Sequence, residues 1–168
     1  LAIDAAGTAR SFGSYALGPQ AALALGSNRI LLGADQAAVS DGLALDSALL
    51  ASFGNIASVA VRASDRLEVS SNVVLGSAAN RPQQLVIDTP LITTTAGDAV
   101  FHAGELGLRN SSAAPAAAPV TGSGTLSVHA DRVRFDGGDV ALDGFAATTL
   151  SAAQGTTTGR DTRLRSGG

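Results

Sequence analysis

Short runs in which apolar residues alternate with small or polar ones recur along the chain. They predict β-strands, because successive side chains on a strand point to opposite sides. Four runs share one pattern: Leu1-Ala2-Ile3-Asp4-Ala5, Leu43-Ala44-Leu45-Asp46-Ser47, Leu85-Val86-Ile87-Asp88-Thr89 and Leu126-Ser127-Val128-His129-Ala130. Their centres, Ile3, Leu45, Ile87 and Val128, lie 42, 42 and 41 residues apart. Beyond each centre stands a glycine followed by a polar residue: Gly13-Ser14, Gly54-Asn55, Gly97-Asp98 and Gly138-Asp139, spaced by 41, 43 and 41. Ser11-Phe12-Gly13 and Ser52-Phe53-Gly54 repeat as a tripeptide. A second alternating run follows each glycine, carried by Tyr15 and Leu17, Ile56, Ala99 and Phe101, and Val140 and Leu142. Two anchors holding one period through four copies predict a repeat architecture of four units of about 41 residues.

Strands this short, punctuated by turns, predict an all-β fold, a right-handed parallel β-helix (β-solenoid) whose coils stack at ~4.8 Å. Inward positions then form apolar ladders, and Asp4, Asp46, Asp88 and His129 fall at the outward, solvated neighbour. Gly13, Gly54, Gly97 and Gly138 supply the corners. A unit of this length holds two coils or one large one. Residues 1–154 read as the repeat segment, and 155–168, rich in Gly, Thr and Arg, as a polar tail or linker or an incomplete next coil. Two stretches interrupt the pattern, Gly76 to Gln84 and Asn110 to Gly124. Insertions of this kind project from solenoids and carry binding, which makes Arg81, Pro82, Asn110, Pro115 and Pro119 the candidate binding residues.

Composition supports strands over helices. Lys and Met are absent, Glu occurs only at 68 and 105, and polar positions go to Ser, Thr, Asn, Asp and Gly. The abundant alanine favours helix, but Val, Ile, Thr and Gly interrupt each run, and Pro115 and Pro119 break Ala113 to Ala118. A chain without Met, opening on Leu1, reads as a piece of a longer polypeptide. With no Cys, disulfides and thiolate chemistry are excluded. A net charge of −3 with scattered Arg argues against nucleic acid as a partner. No apolar stretch reaches the ~20 residues of a membrane span.

Candidate chemistry is sparse, and no cofactor or metal is expected. Without Lys there is no P-loop and no Schiff-base lysine, and no Gly-x-Ser-x-Gly or His-Glu-x-x-His occurs. His102 and His129 sit in similar tripeptides. They read as two solvated residues on different strands of the unit, against a stacked pair that would bind a metal or sense pH. Asp136, Asp139 and Asp143 surround glycines and read as turn chemistry, since calcium needs about six converging oxygens. Asp131, Arg132, Arg134 and Asp136 could group on one outer face, as polysaccharide lyases and hydrolases require. Their alternation with Val133 and Phe135 equally fits a plain strand, and the reading taken is no enzyme. Asn110-Ser111-Ser112 matches a glycosylation acceptor.

Leu85 to Asn110, then a Pro/Ala loop and Gly124-Thr125-Leu126-Ser127-Val128-His129-Ala130-Asp131-Arg132-Val133, resembles the repeat region of the filamentous haemagglutinin family. Gly137-Gly138-Asp139-Val140-Ala141-Leu142-Asp143-Gly144-Phe145 continues the style. The likeness covers residues 1–155 in texture and is best between 85 and 150; the family's N-terminal secretion motifs are absent. It implies a large Gram-negative exoprotein exported by two-partner secretion through an outer-membrane transporter, with the rod as adhesin or stalk on the cell surface. Its implied partners are host-cell, matrix or neighbouring-cell ligands. Open coil edges add self-association. The competing expectation is a β-helical polysaccharide lyase or hydrolase.

Overall fold

A computed structural model describes residues 1–5, 9–11, 17–34, 41–112, 121–159 and 161–167. Its elements are β1 (Ala2–Ala5), β2 (Ala9–Ser11), β3 (Ala22–Leu32), β4 (Leu43–Leu45), α1 (Ser47–Ser52), β5 (Ser58–Val69), β6 (Val73–Leu75) and β7 (Gln84–Asp88). There follow β8 (Leu91–Thr94), β9 (Ala99–Arg109), β10 (Gly124–Phe135), β11 (Gly138–Asp143), β12 (Phe145–Ala152), β13 (Thr156–Thr158) and β14 (Thr162–Gly167). The strands form one 14-stranded sheet. The pairings among the described residues are all parallel. The fold is therefore all-β, as the alternation predicted.

Register sorts the strands into three stacks. In the first, Ile3, Leu25, Val61, Ile87, Leu108, Phe135 and Thr158 are successive cross-strand partners. In the second, the rungs are Ala9, Leu43, Ile30, Leu67, Ile92, Leu142 and Ser166. The third runs Leu75, Phe101, Val128 and Leu150. The long strands β3, β5, β9 and β10 each serve two stacks or two neighbours, so the chain passes repeatedly from one stack to the next. Alternation decides which side is buried. Leu23, Leu25, Val59, Val61 and Leu85 are buried while the residues beside them are more exposed. Each such side chain withdrawn from water contributes about 1.5–3 kcal/mol.

The four equal units of about 41 residues are corrected by this register. Ile3 and Ile87 share the first stack, but Leu45 pairs with Ser11 and Leu32 in the second, and Val128 lies in the third. Steps along the first stack are 22, 36, 26, 21, 27 and 23 residues, so the 84 residues from Ile3 to Ile87 make three steps. Main-chain bonding requires one rung per turn and leaves corner length free, so an approximate period in sequence need not be a structural one. The glycines are corners, but different ones: Gly54 follows α1, Gly97 precedes β9 and Gly138 opens β11. Gly13 lies outside the described residues.

The second stack and α1 depart further from the expected pattern. β4 inserts between β2 and β3, out of chain order, and β8 pairs directly with β11. The predicted strand through Asp46 and Ser47 gives way to α1, whose first turn is capped by the Asp46 carboxylate accepting from Leu49 N–H at 2.7 Å. Capping plus Ala48-Leu49-Leu50 outweighs strand propensity there, and buried Leu49 and Leu50 complete the core. In the C-terminal tail, β13 pairs with β10 and β14 with β11.

Candidate functional site

A polar patch lies where the third stack turns into the first. Pro82-Gln83, Gly104-Glu105 and Asp131-Arg132 sit one above another. Gly104 N–H donates to Pro82 O at 2.9 Å, Glu105 N–H to Gln83 O at 2.8 Å, and Gln154 N–H to Asp131 O at 2.6 Å. The outer surface here is a groove of about 260 Å³ lined by Gln83, Gly104, Glu105, Asp131, Arg132 and Gln154.

Charges around the groove are paired rather than free. Arg81 reaches across to grip both carboxylate oxygens of Asp131 at 3.0 Å. Arg134 bridges Glu105 at 3.1 Å and Asp136 at 2.9 Å. The hydrogen bond to Glu105, then the charge of Asp136, raises the guanidinium pKa above its ordinary value. These pairs are partly open to water, where an ion pair adds little to stability. Arg132 is exposed on the groove wall.

The two histidines stand beside this corner, on the third stack. They are cross-strand partners on β9 and β10, and their rings stack with centroids 5.0 Å apart and planes at 20°. They lie on different strands, as expected, and one register position on adjacent parallel strands brings their rings together. Burial, then the neighbouring His129, then Arg81, push the His102 pKa below 6.5.

The remaining expected residues divide. Arg81 and Pro82 are at this corner, Arg81 in its ion pair and Pro82 buried. Asn110 is a correction: it is buried at 8 % exposure, donates from Nδ2 to Asp139 O at 3.0 Å and accepts from Ser112 Oγ at 2.6 Å. A side chain so engaged pins the chain and is no contact for a ligand or a glycan. Pro115 and Pro119 lie outside the described residues. Asp136 and Asp139 turn to Arg134 and Arg165, and Asp143 is buried, so the three do not converge. Asp88, expected in solvent, is 4 % exposed and accepts from Arg109 Nε at 2.9 Å and Ser111 Oγ at 2.7 Å. Gln83, Glu105 and Gln154 were not anticipated, for no motif or spacing marks them; only the stacking of corners assembles them.

The site and fold define a parallel-stranded all-β protein with a polar corner groove. Comparison with protein-family models, curated proteins and solved structures returns no significant match to this chain. Among the described residues, no helix is long and apolar enough to cross a membrane.

Proposed function

We propose that the chain is a length of right-handed parallel β-helix from a secreted surface exoprotein similar to filamentous haemagglutinins, acting as stalk and adhesin. The observation that carries this reading is the first stack, in which seven cross-strand partners from Ile3 to Thr158 follow one another in parallel register. A rod built this way gains length by adding coils, each stabilised mainly by its neighbours, which suits reach. Contact with host-cell, matrix or neighbouring-cell ligands falls to the outer surface, and the corner groove at Gln83, Glu105, Arg132 and Gln154 is its most polar part. Of the residues the lyase or hydrolase alternative rests on, Asp131 is held by Arg81, and Asp136 by Arg134.

The test is a surface coated with the purified chain, probed with cells, matrix proteins and glycans. Retention should exceed that of an uncoated control, and Arg132→Ala with Gln154→Ala should reduce it without changing the circular dichroism. Release of oligosaccharides from acidic polysaccharides by the chain would overturn the reading.

A further inference from the structure

We propose that His102 and His129 together form an open binding site for one divalent transition-metal ion of the zinc, copper and nickel group. The chain has two histidines in all, 27 positions apart in sequence, and folding places them as direct partners on neighbouring strands. Partner positions on parallel strands are separated by ~4.8 Å, and the rings follow that spacing, stacked 5.0 Å apart and splayed by 20°. A tetrahedral ion with bonds of ~2.0–2.1 Å needs its two nitrogens about 3.3 Å apart. Rings on a shared surface reach this by tilting their edges together, with no movement of the backbone. His129 is exposed and His102 half-buried, so an ion can approach from solvent.

Imidazole selects this group of metals, whereas calcium and magnesium demand oxygen ligands. No set of three or more His, Cys, Asp or Glu gathers among the described residues, so the protein supplies two ligands and water the rest. The next residue in the same register is Ser151, the exposed partner of His129 on β12. The nearby guanidinium of Arg81 opposes a cation, but its bidentate pair with Asp131 at 3.0 Å offsets that charge. An ion held by two side chains with open positions exchanges readily and can take a further ligand from a partner, unlike a closed structural site.

The experiment is zinc titration of the full chain by nuclear magnetic resonance, with copper titration by electron paramagnetic resonance as the second readout. One equivalent of Zn²⁺ should shift the ring resonances of both histidines together, and the Cu²⁺ spectrum should show coupling to two imidazole nitrogens. His102→Gln and His129→Gln should each weaken binding tenfold or more, as loss of even an outer partner of a metal ligand does. Circular dichroism checks that each variant keeps its fold, and because both side chains reach solvent the substitution is tolerated there. Affinity unchanged in either single variant, or a wild-type affinity no higher than that of the double variant, would overturn the site.

Discussion

Arg109 and Asp88 are cross-strand partners on β9 and β7, and the guanidinium Nε donates to the buried carboxylate at 2.9 Å. The same carboxylate accepts from Ser111 N–H at 2.8 Å and Ser111 Oγ at 2.7 Å, so it ties the end of β9 to the turn that follows. Removing it strands a backbone donor and a hydroxyl beside a side chain that was 4 % exposed. Asp88→Ala should therefore cost about 1.5–3 kcal/mol in urea denaturation, the usual contribution of hydrogen bonds to a charged group. Arg109→Ala should cost less, since that side chain is half open to water and the serine bonds survive.

Glycine at 144 answers to a different constraint. Its φ is +78°, and a Cβ there would fall on the Thr94 carbonyl oxygen. The hydroxyl of the same threonine lies 3.0 Å from the Val69 and Gly97 carbonyl oxygens and accepts from Gly97 N–H at 2.8 Å. Gly155, with φ +115°, has nothing within 4 Å of the corresponding position. Gly155→Ala should lose about 1–3 kcal/mol through backbone strain alone. Gly144→Ala should lose clearly more, and equal losses in thermal melts of the two variants would show that the collision is relieved at no cost.

Packing along the third stack is tested at Phe101, which is buried at 2 % exposure between Leu75 and Val128. Phe101→Ala should destabilise by about 3–5 kcal/mol, the usual cost of an aromatic cavity. Val74→Ala, on the outward side of the adjacent strand and 52 % exposed, should change stability by less than about 0.5 kcal/mol. Similar midpoints for the two variants would mean the third stack is not packed as described.

Stability should also depend on pH through His102. Its folded pKa lies below 6.5, so the unfolded chain takes up a proton at a pH where the folded chain does not. Folding stability is then greatest above about 6.5 and falls as the pH drops through that value toward the folded pKa. In protein stripped of metal by chelation, the urea midpoint should fall between pH 7.5 and 5.5. His102→Asn should fall less over the same interval; an equal fall would assign the effect to other groups.

Much of the architecture was legible because alternation is a local property. Leu85-Val86-Ile87 and Leu126-Ser127-Val128 had to be strands, and their apolar positions had to point inward, whatever lay beside them. Of the expected corner glycines, Gly138 has a positive φ, while Gly54 and Gly97 do not. The period was another matter. Residues 110–123 bring the chain from β9 to β10 while β8 pairs directly with β11, and β4 enters the second stack out of order; neither leaves a local trace. α1 arises where one well-placed cap at Asp46 tips a short Ala/Leu segment that elsewhere would extend.

Sequence by itself determined that this protein is built of strands with an apolar inner side, since backbone preference and hydrophobic alternation act within a few residues. Only the tertiary structure decided which strands are neighbours. Register is fixed by main-chain hydrogen bonds between segments 21 to 36 residues apart along the first stack, where corner length is free to vary. That register stacks His102 on His129, puts Arg81 on Asp131, and turns Asn110 and Asp88 from surface contacts into buried ties.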